Sequence, residues 1–308
     1  MRRIKFMMKT AVMFGVLVLG CSFAQAQATR TWVSGVGNDG NPCSRTAPCK
    51  TLAGAYLNTA PGGQINVIDA NAVGGLKIDH SITIDASESF AGTLATSGSD
   101  GIVVVAGASD VVVLRGLTLH GKGEADNGIN YVSGGRLHVE NCVISNFTKR
   151  GINYESGGDN QLIVKDSVIR ENGAAGIRIQ PTAGGKAKAT IDHTRLEGNL
   201  NGLSVLDKAY VTIRDSVMAG NSSNGVFVTA SAAAPEVSVE NCLMANNKDT
   251  GVKVTGDKAI VRLSGSTVTG NDTGLFAAAG SDILSFSNNN VAGNIAADGA
   301  PTNNVPKL

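Results

Sequence analysis

The stretch GLSVLDKAYVTIRDSVMAGNSSN, residues 202–224, contains one complete unit of the pattern that determines the fold. Leu203 and Val205 alternate with polar residues in a first short run, and Val211 and Ile213 do so in a second. An Asp-Ser pair then precedes a third run, and Gly-Asn near the end closes the unit. Alternation with a period of two, in short runs broken by Gly, Asn and Asp, is typical of strands and turns. The unit is therefore predicted to hold three short β-strands.

The same unit repeats along most of the chain. Its clearest marker is a glycine followed by an aliphatic residue, every 23 to 27 residues, at Gly101, Gly128, Gly151, Gly176, Gly202, Gly225, Gly251 and Gly274. Self-similarity at such a period indicates a solenoid. Three strands per unit, each about 4.8 Å from its equivalent in the next unit, predict a parallel β-helix. A leucine-rich repeat has a similar length, but its regular L-x-x-L-x-L with a fixed Asn does not occur in these units.

Two columns of residues mark the turns of successive units. The corner between the second and third strands is occupied by Asn141, Asp166, His193, Asp215, Asn241, Gly265 and Asn288. The end of each unit carries an asparagine, at Asn172, Asn199, Asn221, Asn247, Asn271 and Asn294. Asparagine tolerates left-handed backbone and hydrogen-bonds nearby backbone groups, and stacked asparagines bond to each other along a ladder. We therefore expect both columns to have a structural role.

A third column alternates in charge. The outward residue after the second buried aliphatic of the second strand is, unit by unit, Asp85, Arg115, Glu140, Lys165, Asp192, Arg214 and Glu240. Opposite charges at the spacing of neighbouring strands attract each other. We therefore predict an ion ladder on this outer face. Because its charges neutralise one another, we expect this face to be the least suitable for a polyanion or for calcium.

The N-terminal segment has the features of a secretory signal peptide. Arg2 and Arg3 precede an apolar run over residues 11–20, and Ala24-Gln25-Ala26 offers a cleavage site. We therefore predict a signal peptide over residues 1–26 and a secreted or periplasmic protein. Val18-Leu19-Gly20-Cys21 also resembles a lipobox, so the alternative is a lipid anchor in the outer membrane through Cys21, which is the one membrane attachment that we expect.

The cysteines suggest a single disulfide. Cys43 and Cys49 flank a polar Ser-Arg-Thr-Ala-Pro loop, and in an exported protein this spacing indicates a disulfide-closed loop, with two free thiols as the alternative. Cys142 and Cys242 hold the same corner position four units apart, or roughly 19 Å at the strand spacing. A disulfide needs Cα atoms within about 7 Å. We therefore expect Cys142 and Cys242 to be buried free thiols.

The repeat also sets the domain boundaries. We assign residues 27–64 to an N-terminal cap with the disulfide loop, and residues 65–294 to the β-helix. A short helix over residues 51–58 is predicted to cover the open core of the first coil. Residues 295–308 form a polar, proline-broken tail, expected to be flexible and either to hang loose or to lie across the last coil.

Composition excludes some functions. The net charge is +1 with both signs interspersed, so nothing in the chain suggests nucleic-acid binding. Glycine is abundant, at 39 of 308 residues, and aromatic residues make up 4%. This composition is typical of a packed protein with many turns. We expect a monomer.

From about Ile65 to Asn294 the units resemble the right-handed parallel β-helix proteins of the pectate-lyase-like superfold. The segment from Trp32 to Cys43, followed by Pro48-Cys49-Lys-Thr-Leu52, is similar to the N-terminal cap of many exported bacterial members, whose role is often unassigned. The resemblance implies an all-β, right-handed parallel β-helix of about nine coils with a short N-terminal cap helix. It implies little about activity, because one fold hosts many functions.

Enzymes of this superfold need recognisable residue sets. Hydrolysis of the polygalacturonase type needs two carboxylates facing one cleft. Only Asn247-Lys-Asp249 matches its N-x-D motif, and neither an Asp-Asp pair nor Gly-His-Gly occurs. The D-P-H-E signature of alginate epimerases is also absent from the sequence. Pectate lyases hold calcium with clustered carboxylates and use a basic residue as the base.

The outward face of the first strand offers the remaining candidates. Glu155 and Arg178 are expected to be neighbours and are the catalytic candidates, with a surface salt bridge as the alternative. Asn130, Asn153 and Phe227 are the ligand-binding candidates, since amides hydrogen-bond sugar hydroxyls and Phe227 could stack on a sugar ring. The four histidines are scattered along the chain, so no metal site is predicted.

The sequence as a whole favours an exported, non-catalytic β-helix protein of the cell envelope that binds polysaccharide. The alternative is a carbohydrate-active enzyme, a polysaccharide lyase or glycoside hydrolase, acting on acidic polysaccharide. No cofactor is expected, and calcium enters only under the lyase alternative.

Overall fold

A computed structural model describes residues 27–69, 75–89, 92–95, 97–182 and 184–306. The predicted signal peptide, with Cys21, lies outside these residues. Within them, three parallel sheets surround one core, and we name them sheets A, B and C. In each coil the chain passes through sheet B, then sheet A, then sheet C. None of the helices in the described ranges has the length and apolar character needed to span a membrane.

Sheet A has twelve strands in the described chain: Ala28–Val33, Thr59–Val67, Ile82–Asp85, Val111–Arg115, Arg136–Glu140, Asn160–Lys165, Ala187–Asp192, Ala209–Arg214, Glu236–Glu240, Ile260–Ser264, Asp282–Ser285 and Asn303–Asn304. Sheet B has nine over the same ranges: Leu76–Ile78, Ile102–Val105, Ile129–Ser133, Ile152–Tyr154, Ala175–Ile179, Asn201–Leu206, Val226–Thr229, Thr250–Thr255 and Thr273–Ala277. Sheet C, counted likewise, has nine: Gly92–Leu94, Thr118–His120, Val143–Ser145, Val168–Arg170, Arg195–Glu197, Val217–Ala219, Leu243–Ala245, Thr267–Thr269 and Asn290–Val291. The predicted parallel β-helix of about nine coils is confirmed.

The core consists of the inward residues of all three sheets. In the unit at residues 202–224, Leu203, Val205, Ile213 and Met218 have no exposed surface. Burying such a side chain contributes about 1.5–3 kcal/mol. Because each strand pairs in register with its equivalent in the next coil, aliphatic residues stack along the whole solenoid.

The repeated glycine is explained by a close approach between coils. A Cβ atom added at Gly202 would lie 2.6 Å from the carbonyl oxygen of Gly225 in the next coil. No side chain fits at such a distance, so the chain can enter sheet B only through glycine.

The corner column takes up the left-handed backbone that its residue types predict. The φ angles run from 45° to 59° at Asn141, Asp166, His193, Asp215, Asn241 and Gly265. In the last coil the corner residue predicted from the sequence, Asn288, was wrong by one position. Leu263 pairs with Ser285 and Thr267 with Asn290, so this coil holds one extra residue, and Ser287, not Asn288, has the positive φ of 59°.

The alternating charge column forms an incomplete ion ladder. Its register is as predicted, and Arg115 bridges Asp85 at 3.3 Å and Glu140 at 3.0 Å. Farther along the column, Arg214 pairs with Asp192 at 3.0 Å. Lys165 departs from the prediction, because its flexible side chain turns to Asp166 of its own coil at 3.7 Å.

The N-terminal cap closes the first coil. The helix Leu52–Asn58 begins after Thr51, whose hydroxyl accepts a hydrogen bond from the Gly54 N–H at 2.9 Å, and it buries Leu52, Ala55 and Tyr56. The predicted disulfide between Cys43 and Cys49 is present. The boundary predicted at residue 64 falls inside the strand Thr59–Val67, so the cap and the solenoid share sheet A.

The C-terminal tail lies across the last coil. Asn303–Asn304 pairs with Asp282–Ser285, and Ala297 bridges to Thr273. Of the two arrangements expected for the tail, the loose one is thus not observed for residues 295–306. The physical reason is that the last coil leaves backbone groups unpaired, and the tail satisfies part of them.

Candidate functional site

Sheet B presents the outward column that the repeat predicts. Asn130, Asn153, Arg178, Ser204, Phe227, Lys253 and Phe276 stack in register from coil to coil. Asn153 is 2% exposed and Phe276 is 45% exposed, so this outward column changes from a buried amide to an exposed aromatic ring along the solenoid.

Four of the predicted site residues join one hydrogen-bond chain. The Asn130 amide donates to Asp100 at 2.8 Å, and the Asn153 amide donates to Asn130 at 3.1 Å. Arg178 Nη1 donates to Asn153 Oδ1 at 3.1 Å and to Glu155 Oε1 at 2.7 Å. The side-chain amides of Asn130 and Asn153 are therefore engaged in hydrogen bonds within the protein.

Phe227, the fifth candidate, lies apart from this chain. In the paired register Ser204 lies between Arg178 and Phe227. Two strand spacings amount to about 10 Å. Its half-buried ring is therefore a neighbour of the network but not a member of it.

The environment of Glu155 keeps it ionised. Burial would raise the pKa of its carboxyl group, but hydrogen bonds from Asn153 and Arg178, with the charges of Arg178 and Arg150, hold the pKa below its ordinary value. A general acid needs a raised pKa. Glu155 is therefore suited to an ion pair and not to proton donation.

Sheet A carries a groove that sequence reasoning missed. A cavity of about 500 Å³ is lined by Gly135, Arg136, Asp159, Asn160, Gln161, Lys186, Lys188 and Tyr210. A neighbouring cavity of about 440 Å³ shares three of these residues and extends along the sheet to Glu236, Ser238 and Arg262. We call the two cavities together the sheet-A groove.

The sheet-A groove is basic around an exposed aromatic ring. Tyr210 is 44% exposed, and Lys188 precedes it in the same column. Lys186 and Lys188 are exposed and have no ion pair among the described residues. The acidic groups in the groove are engaged: Glu236 pairs with Arg262 at 2.7 Å, and Asp159 accepts the Lys186 N–H at 3.0 Å.

This groove shares the outer face of sheet A with the ion ladder. The sequence predicted that the whole face would be poorly suited to a polyanion. The structure divides this face into two regions. The ion ladder lies at the C-terminal ends of the strands, and the groove lies at their N-terminal ends. The repeat pattern alone places five groove residues in one column: Arg136, Gln161, Lys188, Tyr210 and Glu236. It does not give the position of Lys186, which lies in a turn.

Three possible metal ligands also meet at a corner. Ligand atoms of Asp192, His193 and Asp215 lie within 4.8 Å of one another. Two neighbouring coils bring these residues together. The sequence analysis did not predict the cluster, because it considered only the spacing of the histidines along the chain. Asp192 already forms an ion pair with Arg214 at 3.0 Å and a hydrogen bond with His193 at 2.9 Å, so these contacts explain the cluster without a metal.

Three parallel sheets around one core, with the predicted asparagine column hydrogen-bonded from side chain to side chain between Asn172 and Asn294, define a parallel β-helix protein. The chain belongs to the family described as the right-handed β-helix region, whose sequence model matches residues 64–199 and 182–291. The predicted resemblance is confirmed.

The comparison with solved structures finds similarity to several proteins. The chain is similar to the pectate lyase Pel9A, with a TM-score of 0.63 and 16% identity over 83% of this chain and 74% of that one. The A-module of the mannuronan C-5 epimerase AlgE4 of Azotobacter vinelandii gives a TM-score of 0.45 and 13% identity over 80% and 91% of the two chains. For the periplasmic alginate epimerase AlgG the TM-score is 0.36, with 11% identity over 73% and 72%. The search among curated proteins found no sequence that matches this chain.

Proposed function

We propose that the protein is an exported, non-catalytic β-helix of the cell envelope that binds acidic polysaccharide in the sheet-A groove. The observation that carries this proposal is that two exposed lysines, Lys186 and Lys188, form no ion pair in the described part of the chain and line one cavity with the exposed ring of Tyr210. An aromatic face stacks on the apolar face of a sugar ring, and ammonium groups attract its carboxylates.

The dimensions of the groove suit a polymer. Its column of outward residues runs from Arg136 to Glu236 over five neighbouring strands. Four strand spacings amount to about 19 Å. A groove of this length, basic at one end and polar at the other, offers successive contacts to successive sugar units.

Two features support the compartment. The Cys43–Cys49 disulfide is typical of an oxidising environment, and the N-terminal sequence has the features of a signal peptide. We propose soluble export to the periplasm or medium, with lipid attachment at Cys21 as the alternative. We further propose a monomer without nucleic-acid partners.

The alternative function is a polysaccharide lyase or hydrolase on acidic polysaccharide, with calcium if it is a lyase. Its support is the shared fold with a pectate lyase. The two carboxylates of the groove argue against an enzyme, because both are already engaged: Glu236 is paired with Arg262, and Asp159 accepts a backbone N–H. We therefore favour binding without catalysis and without a cofactor.

Calorimetric titration with polygalacturonate, alginate and neutral dextran tests the proposal. We expect both acidic polymers to bind and dextran not to bind. Lys188→Gln and Tyr210→Ala should each weaken the affinity about tenfold, or about 1.4 kcal/mol. The matched control is Lys248→Gln, which removes an exposed lysine from a turn outside the groove.

Two outcomes would overturn the proposal: no binding to either acidic polymer, or an equal loss in the Lys248→Gln control. Release of unsaturated or reducing ends, measured with and without calcium, would instead establish the enzymatic alternative.

A further inference from the structure

Arg178 on sheet B has hydrogen-bonding capacity that the protein does not use. Both protons of its Nη1 are engaged, one by Asn153 and one by Glu155. Nε and Nη2 have no hydrogen-bond partner among the described residues, and neither atom is cut off from solvent. The outer edge of the guanidinium group, which suits a bidentate carboxylate, is therefore free.

A second arginine lies on the same face. Asn127 and Asn130 both bond to the Asp100 carboxylate, and the pairing of Asn130 with Asn153 makes Arg150 the equivalent of Asn127 in the next coil. Arg150 stands in the same relation to Asn153. Its side chain is half-buried and forms no ion pair or hydrogen bond within the described ranges.

The charges of the two arginines interact. Burial lowers the pKa of the Arg150 guanidinium, the charge of Arg178 lowers it further, and Glu155 opposes both effects. Glu155 is paired with Arg178, and the half-buried Arg150 has no ion pair of its own in the described part of the chain, so its positive charge is uncompensated. Such a charge is stabilised by a bound anion.

The next coils offer groups for the rest of a ligand. Ser204 pairs in register with Arg178, is 5% exposed, and its hydroxyl makes no hydrogen bond to another described residue. Phe227 follows Ser204 and is half-buried. A ligand held at the arginines would meet first a hydroxyl and then an aromatic face, as an anionic sugar requires.

We propose that Arg150 and Arg178 form a second binding site, on sheet B, for a sugar that carries a carboxylate or a sulfate group. The site does not depend on the sheet-A groove, because it lies on another sheet. Glu155 and Asn153 act as positioning residues that hold Arg178 with its free edge outward.

Titration followed by amide NMR tests this site with galacturonate, inorganic sulfate and neutral galactose. We expect galacturonate or sulfate to shift resonances around Arg150, Arg178 and Ser204, and galactose to leave them unchanged. The relative affinities of galacturonate and sulfate identify which anionic group the site prefers.

Substitutions assign the contacts. Arg150→Gln leaves the Arg178 network intact and should weaken the anion affinity about tenfold, while Arg178→Lys keeps the charge but removes the fork and should do the same. The matched control is Arg195→Gln on sheet C, where Arg195 is likewise paired with a glutamate, Glu197. Lys188→Gln in the sheet-A groove should also leave these shifts unchanged.

Thermal unfolding of each variant verifies that it is folded before its affinity is compared. The proposal is overturned if Arg150→Gln binds galacturonate and sulfate as the parent protein does, if neither anion shifts the sheet-B resonances, or if galactose shifts them equally. Since Lys188→Gln separates the two surfaces, failure here is distinguishable from failure of polysaccharide binding in the groove.

Discussion

At the scale of the residue, the asparagine column determines how tightly coils can stack. Asn221 is fully buried, and its amide donates to Asn247 Oδ1 at 2.8 Å and to the Leu196 carbonyl at 3.2 Å. Its own Oδ1 accepts the Asn199 backbone N–H at 3.0 Å. One side chain thus satisfies polar groups of two neighbouring coils, which water does not reach.

Replacing Asn221 by alanine should be among the more harmful single changes. It leaves buried donors and acceptors unsatisfied, at a cost of about 1–3 kcal/mol for each group. We expect the free energy of unfolding, measured in urea, to fall by at least about 2 kcal/mol. Asn288→Ala at an exposed corner is the control and should cost less than about 0.5 kcal/mol. Equal losses would contradict the ladder's role.

At the scale of the element, sheet A is stabilised differently along its charge column. Arg115 is shared by two carboxylates of neighbouring strands, whereas Lys165 turns to its own coil. An exposed pair is worth about 0–1 kcal/mol, and a shared cation in a network more than a single pair. The column is therefore strongest near the N-terminal end.

Charge reversal should show this difference. Arg115→Glu sets three carboxylates in a row and should lower the free energy of unfolding by about 1–2 kcal/mol at low salt. Lys165→Glu also sets three carboxylates in a row, with Glu140 and Asp192, but it should cost less, because Lys165 pairs with Asp166 of its own coil and its loss breaks no cross-strand ion pair among the described residues. Denaturant titrations at low and high salt provide the measurement, and a larger loss for Lys165→Glu would refute the assignment.

Acid should weaken the same element. Burial would raise the pKa of Asp85, but hydrogen bonds from Ser87 and the charge of Arg115 hold it below its ordinary value. A carboxyl with a lowered folded-state pKa takes up more protons when unfolded, so its stabilisation is present above about pH 4 and is lost as the pH falls further.

Asp85→Asn removes that titration. Its free energy of unfolding should decline less steeply than that of the parent protein between about pH 5 and pH 2. Urea unfolding at a series of pH values gives both slopes, and identical slopes would show that Asp85 does not contribute.

At the scale of the whole molecule, the solenoid buries two thiols that it never brings together. Cys142 and Cys242 are buried and free, and burial raises the pKa of each to about 12. They stand four coils apart in one corner column, roughly 19 Å at the strand spacing. The thiolate, which is the reactive form, is thus suppressed in the folded protein.

Thiol labelling should therefore follow global unfolding. In the native protein neither Cys142 nor Cys242 should react with iodoacetamide over hours at pH 8, and both should react promptly in urea. Non-reducing peptide mapping should find Cys43–Cys49 as a bridge. Fast native labelling, or a Cys142–Cys242 bridge, would contradict the register of the fold.

Much of the fold was predictable because each coil repeats its own local pattern. Inward aliphatics, the glycine before sheet B and the two corner columns predicted the three strands and the register of the inner coils, and the apolar spacing of Leu52, Ala55 and Tyr56 predicted the cap helix. The slip at Ser287 was not predictable, because strand pairing with Leu263 and Thr267 determines it and the local polar sequence fits either alignment.

For the candidate sites, the sequence by itself determined which residues of the inner coils share a column, including Asn130, Asn153 and Arg178, since period-two alternation fixes the outward side and the repeated glycine fixes the register there. Only the tertiary structure decided how neighbouring columns and turns combine: Lys186 beside Tyr210, and Arg150 with Arg178. Hydrophobic burial fixes whether a residue faces in or out, and that is local information. The distance between two outward side chains depends on turn geometry and rotamers, which are fixed only when the coils stack.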